Sequence, residues 1–272
     1  MSGEGFCCPL CKGTLERQPE ALQCRPCGRG YPIVEGIPDF FLVAGEDEAI
    51  DGPNQTWLDP EIVAARDRVY RLCARELKGM AFCMAEIGQR TAAGCRVLEV
   101  GMGTGRFTRW LAEVSAPGTE IYAFDFSWPI LERAKENTRG LPGVMLFRAN
   151  ARGVLPFEAG CFDIVLLRLT PLGAHGVPNV QAAFPLLRPG GWLFEAGWKA
   201  QRYETPETDW AIQHGYAHAE HHVWQYRRAQ TVEEQAARAV ERERLGALGG
   251  SPGRAGEGGM TYENLLVAQK PG

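Results

Sequence analysis

Four short apolar runs punctuate the middle of the chain: Val97-Leu98-Glu99-Val100, Ile121-Tyr122-Ala123-Phe124, Val144-Met145-Leu146-Phe147 and Phe162-Asp163-Ile164-Val165. Runs with little polar alternation suit strands covered on both faces. Between the first three, 107–114 and 128–138 carry helical signals. Pro117-Gly118 stops the first, and Ser127 and Pro129 open the second. Strands alternating with helices predict an α/β sheet with helices on both faces. Upstream, Ile62, Val69, Leu72, Leu77, Phe82 and Met84 recur at helical spacing from Pro60 to about Arg90, with Gly79 and Gly88 as weak points. Downstream, Thr231 with Glu234 has the form of a capping box, and 246–259 reads as a Gly-, Ala- and Pro-rich loop.

The first run ends in Gly101-Met102-Gly103-Thr104-Gly105, directly before the helix that opens at Arg106. Alternate glycines let the backbone turn sharply and let a bulky ligand approach. The helix behind presents free N–H groups and its positive dipole end. A phosphate loop would close on Gly-Lys-Ser/Thr, which is missing, and Arg106 stands where a dinucleotide loop has its third glycine. Asp125 closes the second run, 20 residues past Gly105, where a carboxylate can accept both ribose hydroxyls of an adenosine. That placement suits NAD as well as other adenosyl cofactors.

Glu99 followed by Gly-x-Gly-x-Gly resembles motif I of the class I S-adenosylmethionine (SAM) methyltransferases. Leu155-Pro156-Phe157 leading to Phe162-Asp163-Ile164-Val165, and Leu186-Leu187-Arg188-Pro189-Gly190-Gly191, are similar to later passages of the same family. The resemblance covers roughly 95–198 in order. It implies a Rossmann-like sheet with Tyr262 to Lys270 as its last, antiparallel strand, although no sixth strand is evident. It also implies SAM as cofactor, contacted by Glu99, Gly101, Met102, Gly103, Gly105, Asp125, Phe126, Asn150, Ala151 and Arg168. Asn150 stands where relatives usually have Asp, and it keeps a side-chain carbonyl acceptor.

Cys8-x2-Cys11 and Cys24-x2-Cys27, separated by twelve residues, are two thiolate knuckles that close a tetrahedral S4 site suited to structural zinc. So small a segment builds little core, so the metal would supply much of its folding energy. Cys7 is a spare. With Gly30 to Phe40 as strand, turn and strand, this segment resembles the zinc ribbon of the small activator subunit of tRNA, rRNA and release-factor methyltransferases. It is also similar, more loosely, to the ribbon of rRNA guanine-N1 methyltransferases. The expected division is a ribbon over 1–45, a linker over 46–55 and a methyltransferase domain over 56–272, with an insert at about 199–260.

The methyl acceptor is open. His175 is a candidate general base. Trp57, Tyr70, Trp198 and Tyr203 are candidate acceptor contacts, with packing as the plain alternative. His214, His218 and His221 fall at i, i+4 and i+7, one face of a helix, which could bind metal, line a pocket or simply face solvent. A net charge of −4 exerts no global pull on nucleic acid or anionic membrane. Within the ribbon, Lys12, Arg17, Arg25 and Arg29 are offset by Glu4, Glu16, Glu20, Glu35 and Asp39. These features favour a small-molecule acceptor. RNA read by the ribbon is the alternative, and a SAM-binding scaffold a third reading. Nine cysteines without a secretory signal point to the cytoplasm, and no apolar run is long enough to cross a bilayer.

Overall fold

Val97 to Val100 are completely buried, as a strand covered on both faces requires, and their side chains alternate between two hydrophobic layers. They belong to β6 (Arg96–Val100), the middle one of five parallel strands in the main sheet of a computed structural model that describes residues 2–41, 56–168, 179–197, 207–227, 230–247 and 260–272. Its partners are β7 (Glu120–Asp125), β8 (Val144–Arg148), β9 (Phe162–Arg168), β10 (Leu187–Gly197), β11 (His218–Arg227) and β12 (Met260–Gln269). The spatial order is β11-β12-β10-β9-β6-β7-β8, with β12 antiparallel to both neighbours and β6 to β10 mutually parallel.

Helices α2 (Lys78–Arg90), α3 (Arg106–Val114) and α4 (Trp128–Thr138) cover one face, burying Met84, Ile87, Phe107, Leu111 and Leu131 against Val97, Ile121 and Ile164. The other face is covered differently. Short helices α5 (Asn179–Ala183) and α6 (Glu207–Gln213) take one end of it, and the N-terminal ribbon takes the rest. No helix lies between β8 and β9.

The ribbon is a five-stranded antiparallel sheet: β1 (Ser2–Cys7), β2 (Thr14–Arg17), β3 (Ala21–Cys24), β4 (Gly30–Val34) and β5 (Ile37–Pro38). Phe6 stacks obliquely or edge-on against Phe40, Phe147, Tyr122 and Phe157, at centroid distances of 5.1–5.5 Å. Beyond β5 the chain reaches the edge of the main sheet. Asp39 bridges to Arg148, and the Phe40 N–H donates to the Arg148 carbonyl at 2.8 Å. The ribbon therefore shares its core with the main sheet. The linker expected at 46–55 falls outside the described residues.

The missing sixth strand is β11, the segment whose histidines suggested a helix. Its i, i+4, i+7 spacing was ambiguous, and pairing with β12 over ten residues resolves it to a strand. His218, Glu220, His222, Trp224 and Tyr226 then share one face, while His221 points to the other.

α1 (Pro60–Cys73), capped by Asp59, lies beside α7 (Val232–Ala247), which is opened by the Thr231 hydroxyl accepting from the Glu234 N–H. Ion pairs Arg66–Glu241 (2.6 Å), Arg71–Glu233 (2.9 Å) and Arg244–Asp59 (2.8 Å) run along the pair. Ser127, in contrast, does not cap α4 with its side chain. Its hydroxyl donates to the Trp57 carbonyl.

Gly79, a weak point by helix propensity, sits under Trp224 and Glu263, and an added Cβ would come within 2.8 Å of the Trp224 ring. That close approach lets buried Glu263 cap α2, accepting from the Gly79 and Met80 N–H groups (3.0 and 3.1 Å) and from the Tyr226 hydroxyl (2.6 Å). Glu263→Ala is expected to cost about 1–3 kcal/mol by orphaning these donors, read as a lower urea midpoint at unchanged m-value. Glu263→Gln should lose less.

Candidate functional site

The four knuckle cysteines converge. Their Sγ atoms lie within 4.8 Å of one another, with Cys8–Cys27 at 3.7 Å and Cys11–Cys24 at 3.5 Å. Tetrahedral zinc with Zn–S bonds of about 2.3 Å needs sulfurs roughly 3.8 Å apart, so the residues fit that ion. Matching turns build the two halves: Lys12 N–H donates to the Cys8 carbonyl (2.8 Å) and Gly28 N–H to that of Cys24 (3.0 Å). Both residues are left-handed, at φ 58° and 72°. Burial opposes ionisation of Cys8, but hydrogen bonds from the Tyr31 hydroxyl and the Cys11 and Leu10 N–H groups bring its pKa down to about 6. Cys7 takes no part. It is buried, and its N–H donates to the Pro156 carbonyl at 2.8 Å. Among the described residues no other group of His, Cys, Asp and Glu converges on a metal position.

Lys12 extends from the first knuckle to the main sheet, where Nζ donates to the carbonyls of Leu155 (2.9 Å) and Phe157 (3.1 Å). Arg148 does the same from the sheet side. Its Nε donates to the Phe126 carbonyl (2.7 Å) and Nη1 pairs with Asp39 (3.1 Å). The ribbon is thus tied to both segments that flank the expected adenosine site. Neither tie was legible in the sequence, because Lys12 and its two carbonyl partners, like Arg148 and Asp39, lie more than a hundred positions apart.

The glycine loop lies at the carboxyl end of β6, beside the tip of β7. Gly101, Gly103 and Gly105 all have positive φ (69°, 57° and 76°), which explains their alternate placement. At Gly105 space is short as well: an added Cβ would lie 3.0 Å from Ala134 Cα on α4. Buried Met102 donates its N–H to the Phe124 carbonyl at 3.1 Å. Asp125 faces the loop, with Oδ2 accepting from the Gly103 N–H (3.2 Å) and Oδ1 from the Phe126 N–H (2.8 Å). Burial pushes its carboxyl up to about 6 despite these donors. The Asn150 Oδ1 accepts from the Arg152 N–H (2.9 Å), closing a turn beside Ala151. A carbonyl's second lone pair stays available for a ligand.

Arg168, at the tip of β9, turns under the loop. Its Nε donates to Glu99 Oε1 (3.2 Å), Nη2 donates to the Met102 carbonyl (2.9 Å), and the guanidinium lies 4.0 Å from the Phe107 ring centroid. Burial pushes the Glu99 carboxyl up, and Arg168 opposes that shift. Arg106 pairs through two nitrogens with Asp67 of α1, at 2.8 and 2.9 Å. The residue that breaks the dinucleotide pattern therefore docks α1 over the loop helix.

Trp57 and Tyr70 reach this region. The Trp57 carbonyl accepts from Ser127, its ring is stacked by Arg66 at 3.5 Å, and Tyr70 packs edge-on to Phe107 at 5.6 Å. His214 and His218 do not. β11 is separated from β6 by three strands, roughly 19 Å away, and His218 lies level with Val97 rather than with the loop. There His218 and His222 flank Glu220 at 2.8 and 3.2 Å, and His218 leads in holding that carboxyl below its ordinary value. His175, Trp198 and Tyr203 lie outside the described residues.

Residues 97–191 match the family model described as a methyltransferase domain, and residues 6–36 match that of Trm112p-like proteins. The chain is 35% identical over 114 residues to demethylmenaquinone methyltransferase of Staphylococcus aureus (strain JH9), an alignment covering 40% of this chain and 45% of that protein. The chain thus spans less than half the length of the curated relatives it matches. Among solved structures, Haemonchus contortus phosphoethanolamine N-methyltransferase 2, in complex with phosphomonomethylethanolamine and S-adenosylhomocysteine, superposes with a TM-score of 0.55. Identity is 15%, over 90% of this chain and 62% of that one. A chain from a complex of the Haloferax volcanii Trm112 methyltransferase activator gives a TM-score of 0.51 at 17% identity, over 79% of this chain and 98% of that one. At such identities the structures show a shared fold. With the glycine loop and the four-cysteine cluster, the matches show a methyltransferase domain over 97–191 preceded by a Trm112-like ribbon over 6–36 whose four cysteines suit zinc.

Proposed function

We propose that the protein transfers the methyl group of SAM to a small-molecule acceptor. The observation that carries this reading is Asp125, at the tip of β7, facing the Gly103 N–H across the mouth of the glycine loop. When bound, SAM supplies an activated methyl group, which leaves the chain to orient and desolvate the nucleophile. In this reading Asp125 accepts the ribose hydroxyls, Phe126, Asn150 and Ala151 bound the adenine, and Glu99, Gly101, Met102, Gly103, Gly105 and Arg168 form the loop wall that runs along the ribose and the methionine. Trp57 and Tyr70 bound the acceptor side.

The ribbon's cations support a structural role for it over RNA recognition. Lys12 is spent on two carbonyls of the main sheet, and Arg25 pairs with Glu16. A nucleic-acid face needs a free cationic excess. The demethylmenaquinone relative acts, by its name, on a small molecule, in keeping with this preference. Among the described residues no helix is long and apolar enough to cross a membrane. An S4 site and nine cysteines in no disulfide suit the reducing cytoplasm, where we place the protein.

Methyl-labelled SAM incubated with purified protein and a source-organism lysate tests the proposal. Label in the small-molecule extract is the expected result. Label in acid-precipitable RNA would make the ribbon a recognition module. Tight SAM binding without transfer would leave a scaffold.

A further inference from the structure

We propose that Arg168 is a positioning residue of the cofactor loop, holding the Met102–Gly103 peptide in one orientation and acting through that peptide rather than on the bound molecule. The inference rests on the loop being the SAM site.

The carbonyl of Met102 and the N–H of Gly103 belong to one planar unit. Arg168 Nη2 donates to that carbonyl at 2.9 Å, and Asp125 Oδ2 accepts from that N–H at 3.2 Å. A cation from β9 and an anion from β7, on either side of β6, thus grip opposite ends of a single peptide. Flipping it would turn the carbonyl toward a carboxylate and the N–H toward a guanidinium, unfavourable at both ends. Sterics alone do not prevent the flip. A flip changes mainly ψ of Met102 and φ of Gly103, and glycine at φ 57° populates either sign of φ with little cost. Within the loop a long turn bond, from the Gly105 N–H to the Met102 carbonyl at 3.4 Å, holds this peptide weakly, and Arg168 and Asp125 add the shorter restraints from outside.

Arg168 is itself held for the task. It is 7% exposed, paired with fully buried Glu99 at 3.2 Å and packed on Phe107 at 4.0 Å. A buried ion pair is a weak source of net stability, because desolvation offsets most of the attraction. Its value here is geometric. The pair aims a rigid fork at one carbonyl oxygen from beneath the loop.

The full-length protein tests this by calorimetry with SAM and with 5′-methylthioadenosine, which lacks the amino-acid end, across a pH series. The variants are Arg168→Lys and the neutral pair Glu99→Gln with Arg168→Gln, each checked for melting temperature. The neutral pair leaves no buried charge unpaired, and Arg168→Lys keeps the charge while losing the fork. The expected result is roughly ten-fold weaker binding of both ligands to the neutral pair at a near-native melting temperature, with Arg168→Lys intermediate. The pH midpoint of binding should also rise, because the field of Arg168 lowers the Asp125 pKa. Unchanged affinity in either folded variant overturns the proposal. Loss confined to SAM also overturns it, in favour of direct contact with the amino-acid end. If the neutral pair does not fold, the Arg168→Lys affinities decide alone. Wild-type protein that binds neither ligand would instead remove the cofactor reading itself.

Discussion

Asp125→Ala is expected to weaken SAM binding by roughly ten-fold or more, since two ribose hydroxyls lose charge-assisted hydrogen bonds. Titration calorimetry measures this directly, and unchanged affinity would remove Asp125 from the cofactor site. The wild-type protein should show a matching pH profile. Burial raises the Asp125 carboxyl from its ordinary 3.8 to about 6. Only the ionised form accepts from both hydroxyls, so affinity should be level above neutral pH and fall as pH drops through about 6. Asp125→Asn should bind weakly with a flat profile over the same range. Stability runs the other way. A carboxyl whose folded pKa is raised holds its proton more tightly when folded, so its ionisation lowers stability as pH climbs from 3.8 through about 6. The alanine variant therefore escapes that cost, which separates lost binding from lost folding.

Removing zinc is expected to have the second large effect. Purified protein should carry about one zinc per chain, and chelation or Cys24→Ser should release the ribbon. The consequence extends past the ribbon because its core is shared. Leu15, Leu22, Tyr31, Phe6 and Phe40 pack in one cluster with Tyr122, Phe147 and Phe157 of the main domain. Lys12 would also release the carbonyls of Leu155 and Phe157. A loss of roughly 4 kcal/mol would lower the melting temperature by about 10 °C in a domain of this size. Hydrogen exchange should rise over 2–41 and over 144–157 together. Exchange confined to the ribbon would show that its docking contributes little. A zinc content near zero would remove the metal site.

The plainest signals were local ones. Glycines at 101, 103 and 105 announce a left-handed turn because few other residues accept that φ, and Asp125 closes an apolar run at a strand tip. Two Cys-x2-Cys turns define a tetrahedral site within one short segment. Arg106 is a different case. In the sequence it counted only against a dinucleotide loop, although a buried-side arginine in that position raises the question of where its charge goes. The answer, Asp67, lies 39 positions away.

Local pattern sufficed for the four buried strand runs, the glycine loop, the carboxylate at a strand tip and the zinc knuckles. Each depends on neighbours within a few residues, so periodicity and turn chemistry suffice. That 218–227 is a strand, that the ribbon covers much of one face of the main sheet, and that Arg168 reaches beneath the loop emerged from the fold. Those outcomes depend on long-range pairing. The ten-residue ladder with β12 overrides a helical spacing, and apolar area left without a helix after β8 is buried by whatever segment can reach it. A buried guanidinium must likewise find its carboxylate wherever the fold brings one within reach.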